Sequence, residues 1–141
     1  MFERILVAFD GTDASSQAFI VGLAIAKRFG GEIHLYSVIE HPARKSDLLM
    51  GAVDDVIDHE TKHFEFAQKS LLQRAGREGV KVTSHIMVGR AVEKILRFVE
   101  EEHVDAVVIG GLGQSHVLPW YWGGTGMQIA THAPCTVVVA R

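Results

Sequence analysis

Ala106 to Ile109 is an unbroken apolar run, too short for a helix, and it ends on glycine at positions 110, 111 and 113. A strand whose side chains are all apolar must be covered on both faces, the condition met in a parallel sheet with helices above and below. A second glycine cluster, Gly123, Gly124 and Gly126, opens a short helical pattern from Gly124 to Thr131, and Pro134 blocks its continuation. Strand, glycine-rich loop and helix start together make an anion site. Glycine lets the backbone approach a phosphate, and the free N–H groups of the helix start point at it. The spacing Gly110-x2-Gly113-x9-Gly123 therefore reads as a segment that holds the phosphates of a nucleotide.

The rest of the chain reads as the platform beneath that segment. Arg4 to Phe9 is a second buried strand, stopped by Asp10-Gly11-Thr12-Asp13, in which Thr12 and Asp13 are candidate N-caps. Ser15 to Phe29 has helical spacing and closes on Gly30-Gly31. Glu32 to Val38 is a strand with Ile33, Leu35 and Ser37 on one side and His34, Tyr36 and Val38 on the other. Glu40 to Met50 reads as a loop, and Val53 to Ala75 as a long helix ended by Gly76 and Gly79. Val80 to Val88 is a strand broken by Gly89; Ala91 to Glu102 is a helix with Val92, Ile95, Leu96 and Val99 inward. Thr136 to Ala140 is a last, valine-rich strand, expected at a sheet edge. Strands alternating with helices imply an α/β fold, a five-stranded open parallel sheet with helices on both faces and right-handed crossovers. In such sheets ligands lie beyond the carboxyl ends of the strands. If the first and fourth strands are neighbours, Asp10-Gly11 and Gly110-Gly111 face one crevice.

At 141 residues the chain suits one domain with a substantial core. A net charge of -3 and a pI near 6.2 argue against a nucleic-acid partner, which calls for a basic face. Cys135 is the one cysteine, so no internal disulfide forms, in keeping with a reducing cytoplasm. The opening MFERILVAFDG lacks the pattern of a signal peptide, and no apolar run nears the roughly 20 residues of a membrane span.

The candidate residues carry different weights of chemistry. Asp10, at a strand end, either caps the next turn or accepts hydrogen bonds from adenine or ribose. Val38 offers a base an apolar or backbone contact, and Arg90 a guanidinium from the neighbouring turn. From Gly110 to Ala140 there is no Lys, Arg, Asp or Glu, so a phosphate there would rest on backbone N–H groups and helix dipoles. His59-Glu60-Thr61-Lys62-His63 matches the zinc-protease pattern, but it has a cation inside, no third ligand and solvated flanks (Asp54, Asp55, Asp58, Glu65, Gln68). It reads as a surface helix. Cys135 reads as a small buried hydrophobe rather than a nucleophile. Pro119-Trp120-Tyr121-Trp122 is either a loop packing its own aromatics or a contact patch.

Ile5 to Thr12 with Ser15, Val88-Gly89, Val107 to Gly110 and His132 to Val139 together resemble the universal stress protein (UspA-like) family, over essentially the whole length, 1–141. The resemblance implies the sheet order 3-2-1-4-5, an adenine-nucleotide alpha-hydrolase-like fold, and a homodimer through Thr136 to Ala140. ATP-binding members carry G-x2-G-x9-G followed by Ser or Thr; here Gly110, Gly113 and Gly123 fit, Gly124 takes the hydroxyl position, and Thr125 comes one place later. By resemblance Ala8, Asp10 and Val38 would contact adenosine, Val88 and Gly89 would lie near the ribose, and Gly110, Gly113, Gly123, Gly124 and Thr125 would hold phosphates. Phe9 and Ile109, at the same strand ends, complete the candidate set. The expected function is a regulatory protein of the stress response that binds ATP, AMP or another adenine nucleotide, with Mg2+ as a companion ion and at most slow hydrolysis. An ATP-pyrophosphatase-like enzyme is disfavoured, because Asp10 would repel an anion at the first turn. A dimeric interaction module that uses Trp120 to Trp122 and binds no nucleotide is the alternative.

Overall fold

The computed structural model describes residues 1–40, 50–111 and 124–141. Among the described residues five strands and four helices alternate: β1 (Arg4–Ala8), α1 (Asp13–Phe29), β2 (Glu32–Ile39), α2 (Met50–Arg77), β3 (Val82–Val88), α3 (Ala91–Glu101), β4 (Ala106–Gly110), α4 (Thr125–His132) and β5 (Thr136–Ala140). The strands form one sheet in the order β3-β2-β1-β4-β5, with every neighbouring pair parallel. The sheet order and the edge position of β5 are as expected. The loop expected from Glu40 to Met50 lies, except for its end residues, outside the described residues, and Met50 already belongs to α2. Gly113, Gly123 and Trp120 to Trp122 also lie outside them.

The alternation of side chains along each strand builds two cores. Ile5, Val7, Ile33, Leu35, Ala106 and Val108 face Phe19 and Leu23 of α1 and Phe64 and Leu71 of α2. Leu6, Tyr36, Val107 and Ile109 face Ile95, Phe98 and Val99 of α3 and Ile129 of α4. The first two helices thus cover one face and the last two the other, so the winding reverses between β1 and β4. Phe19 is wholly buried, and burying such a side chain stabilises the fold by about 1.5–3 kcal/mol. Gly22 lets α1 lie close on β1, since a Cβ there would stand 2.7 Å from Val7 Cγ2.

Helix ends follow local chemistry. Thr12 caps α1, its hydroxyl accepting from the Ser15 N–H at 3.3 Å, and Gly30 ends it at φ 72°. The long helix runs through Gly76 and ends at Arg77; Gly79 follows in the turn with a left-handed φ of 74°, and the Val80 N–H returns to the Ala75 carbonyl at 3.0 Å. That return makes Val80 a buried lead-in to β3 rather than its first residue. On α3 the buried pair is Ile95 and Val99, while Val92 and Leu96 are half-buried.

One expectation is overturned within α2. Gln68 was assigned to a solvated face, yet it is 0% exposed. It stands four residues after Phe64, three before Leu71 and seven before Ala75, so helical geometry carries it inward with the apolar stripe.

Candidate functional site

The carboxyl ends of β3, β2, β1 and β4 lie along one edge of the sheet, because the strands are parallel and in register, with Val88 opposite Ile39 and Ala8 opposite Tyr36. At the reversal between β1 and β4, α1 leaves one strand and crosses the end of the other. Gly110 is pressed on the first turn of α1: a Cβ there would lie 2.7 Å from the carbonyl carbon and oxygen of Ala14. Only glycine allows that approach.

Asp10 projects beside this contact. Its Oδ1 accepts from the Thr12 N–H at 3.0 Å and from the Thr12 hydroxyl at 2.5 Å, and Gly11 makes the intervening turn at φ 86°. Burial pushes the Asp10 carboxyl up, but the hydrogen bonds from Thr12 and Ser15 outweigh it, and the net pKa falls below the usual 3.8. Asp10 is an exposed, ionised acceptor with one oxygen bound by Thr12, and it caps the turn at the end of β1.

The other candidates separate by the groups they leave available. Ala8 and Val38 are half-buried at the ends of β1 and β2. Phe9 and Ile109 are buried in opposite cores, at 4% and 3% exposure, so their side chains serve packing. Val88 is 42% exposed and open to contact. Gly89, at φ 148°, lies under the Lys94 side chain, which brings a cationic residue to this edge; a Cβ at Gly89 would be 2.8 Å from Lys94 Cε. Arg90 is exposed, with Nη1 3.7 Å from Glu93. Gly124 precedes α4 at φ -70° with no side-chain cap and, among the described residues, nothing within 4 Å of where a Cβ would stand; Thr125 is exposed. Gly124 brings no side chain to the first N–H groups of α4, and a helix start of this kind suits a phosphate. These observations bring Ala8, Asp10, Val38, Val88, Gly89 and Gly110 to one edge.

Sequence reasoning missed three participants. Glu40 sends its carboxylate to the Ala91 N–H at 2.7 Å and so supplies α3 with the cap that Arg90 lacks. His34 and His85 pair on the α3 face of the sheet, Nδ1 to Nε2 at 2.9 Å, against Phe98. Gln68 hydrogen-bonds to Ser37 and Ser84. The inward position of Gln68 was legible from its spacing; the other two contacts join residues 51 apart and left no local signal.

The remaining motifs have settled places. His59 and His63 are exposed on α2, and among the described residues no three His, Cys, Asp or Glu come together to hold a metal ion. Cys135 is half-buried; burial, then the Asp105 charge, raises its pKa, which favours the unreactive thiol. Among the described residues no helix is long and apolar enough to cross a membrane.

An open parallel sheet in this order, with helices on both faces and a crevice at the reversal, defines a doubly wound α/β protein of the adenine-nucleotide alpha-hydrolase-like kind. Within that class, the family model described as the universal stress protein family matches residues 1–141, and the chain belongs to this family. A universal stress protein of Thermus aquaticus is 28% identical over 151 residues, the match covering 100% of each chain. The structure of UspA from Lactobacillus plantarum superposes with a TM-score of 0.89 at 25% identity, over 99% of this chain and 98% of that one. Two more distant structures share the fold with nucleotide bound. A universal stress protein in complex with cAMP has a TM-score of 0.74 at 18% identity over 99% and 96% of the chains. One from Archaeoglobus fulgidus in complex with dAMP has 0.66 at 19% over 100% of each.

Proposed function

We propose that this protein binds an adenine nucleotide, ATP foremost, in the crevice between the carboxyl ends of β1 and β4, and that binding regulates its assembly or partners in the stress response. The observation that carries the reading is the shared notch: Asp10 held by Thr12, beside Gly110 seated on the backbone of Ala14. Relatives of the same fold crystallised with cAMP and dAMP support an adenine ligand. In this reading Ala8, Asp10 and Val38 take the adenosine, Val88 and Gly89 border the ribose, and Gly110, Gly113, Gly123, Gly124 and Thr125 take the phosphates. Asp10 and Asp13 are the acids that would stand near a bound Mg2+.

Binding, rather than turnover, suits this set of groups. Hydrolysis needs a positioned base and charge to stabilise the leaving phosphate. Between Gly110 and Ala140 the sequence supplies no charged side chain other than histidine. A ligand acts as a regulator only if two states of the protein bind it with different affinity. Pairing of β5 across a homodimer is one such assembly, and the half-buried Val137 and Val139 of this edge strand support it. A cytoplasmic protein is the setting in which both proposals apply.

The test is to denature freshly purified protein, identify any released small molecule by mass spectrometry, and titrate ATP, AMP and adenosine by calorimetry. Co-purified nucleotide, or saturable heat with ATP that Asp10→Ala abolishes, is expected. No nucleotide and no heat with any of the three ligands would overturn the reading and turn attention to an interaction module.

A further inference from the structure

Gln68 is a fully buried amide in a helix that otherwise buries apolar groups. Burying an amide is costly unless every group is bonded. Its bonds form one directed chain. The Phe9 carbonyl can only accept, so Ser37 Oγ donates to it, at 2.7 Å. Ser37 Oγ then accepts from Gln68 Nε2 at 2.8 Å. Gln68 Oε1 is left to accept from the Ser84 hydroxyl. The acceptor at one end thus dictates the orientation of every donor to the other.

The chain starts on the edge strand β3, passes through α2, touches β2 at the residue before Val38, and ends on the peptide that joins Phe9 to Asp10. The Phe9 N–H is held as well, by the Tyr36 carbonyl at 2.9 Å. Asp10 therefore follows a residue whose N–H and carbonyl are both held. Bonds in such a chain polarise one another in a dry interior, so removing one link weakens the rest.

We propose that Ser37, Gln68 and Ser84 are positioning residues: their hydrogen-bond chain fixes the Phe9–Asp10 peptide, so that the Asp10 carboxylate meets the ligand, and it couples α2 to the crevice. The inference rests on the reading of the crevice as an adenine-nucleotide site. Nothing in the chain touches the ligand, so the effect must pass through the geometry of Asp10.

Two measurements separate the inference from that reading. The first is the titration of the Asp10 carboxyl by carbon-13 NMR, compared between the wild type, Ser37→Ala and Ser84→Ala, which needs no nucleotide. A loosened turn weakens the Thr12 bonds, so the Asp10 pKa is expected to rise toward its ordinary value in Ser37→Ala and by less in Ser84→Ala. The second is calorimetry with ATP and adenosine, where Ser37→Ala is expected to weaken both about tenfold, the equivalent of about 1.4 kcal/mol. An unchanged Asp10 titration, with a lowered melting temperature alone, makes the chain purely structural and overturns the inference. Should the wild type bind no nucleotide, the site reading fails, and the NMR arm still decides whether the chain positions Asp10. Ser84 lies on the exposed edge strand, so Ser84→Ala keeps the experiment informative if Ser37→Ala fails to fold.

Discussion

At the amino ends of the strands, charge meets charge. Lys81 lies 3.0 Å from Glu32, Lys27 3.0 Å and Arg74 3.2 Å from Glu78, and the Asp105 carboxylate accepts from the Glu3 and Arg4 N–H groups at 2.9 and 3.2 Å. At the carboxyl ends the described residues have a single long ion pair, Arg90 to Glu93 at 3.7 Å. That edge also carries an ionised Asp10 held by Thr12, a Glu40 carboxylate on the Ala91 N–H at 2.7 Å, the start of α4 at Gly124, and glycines where the backbone comes close. Among the described residues the ion pairs gather at the amino end, and the carboxylates of the carboxyl end are held by backbone and hydroxyl donors. Exposed ion pairs contribute little each, about 0–1 kcal/mol, so the difference concerns what each end can bind more than how stable it is.

Two glycines test that division most severely. A Cβ on Gly31, at the amino end, would lie 2.2 Å from the Phe2 carbonyl oxygen; on Gly110, at the carboxyl end, 2.7 Å from the Ala14 backbone. Each neighbour is main chain and cannot swing aside. Overpacking of this kind costs about 1–3 kcal/mol and sometimes more. Gly31→Ala, the tighter contact, is expected to give the larger fall in urea midpoint while leaving ATP affinity per folded molecule unchanged. Gly110→Ala should lose stability and affinity together. Equal losses of affinity in the two variants would break the division between the ends.

The histidine pair tests how far the charged end reaches into the molecule. Lys81, Glu32, His34 and His85 form a run from the amino edge to the sheet surface under Phe98. The Glu32 carboxylate only accepts, so His34 Nε2, 3.4 Å away, carries a hydrogen. Between His34 Nδ1 and His85 Nε2 there is room for one hydrogen; two imidazolium rings would set two face to face. Burial, then the charge of His34, lowers the His85 pKa below its usual 6.5, against the pull of Glu102. The unfolded chain therefore binds the proton better. The stability this group contributes is fully present above the unfolded value and is lost as pH falls below it toward the lower folded value. The melting temperature is expected to drop as pH falls below the usual histidine value of 6.5, and to drop less in His85→Phe. An identical slope in the variant would exclude the pair as the source.

These contrasts show where local pattern carries information. The strand expected over Arg4 to Phe9 is legible because Ile5 to Phe9 each face a core, although β1 itself ends at Ala8; the end of α1 is legible because Gly30 needs a left-handed φ. Ile33 and Leu35 against Tyr36 and Val38 follow from a period of two. The site is legible only as a set of strand ends, since parallel pairing aligns Asp10, Val38, Val88 and Gly110 whatever lies between them. Polar contacts set by that alignment were not legible. Gln68 reads as solvated by residue type and is placed inside by its helical phase; Glu40 with Ala91, and His34 with His85, meet only after β2 and β3 pair.

The finest test of the carboxyl end is Gly124→Ser. Gly124 has an extended conformation, φ -70° and ψ 152°, that any residue adopts, and among the described residues nothing lies within 4 Å of a Cβ there. The substitution therefore adds a hydroxyl without strain at the start of α4. As an N-cap, serine exceeds glycine by only a few tenths of a kcal/mol, so the melting temperature should barely rise. If the crevice holds phosphates beside this helix, the hydroxyl becomes a further donor, and a hydrogen bond of that kind contributes about 0.5–1.5 kcal/mol. ATP should then bind severalfold more tightly by calorimetry. Adenosine, which has no phosphate, should bind as before. A gain shared equally by adenosine would place Gly124 near the nucleoside instead, and no gain for either ligand would remove the start of α4 from the site.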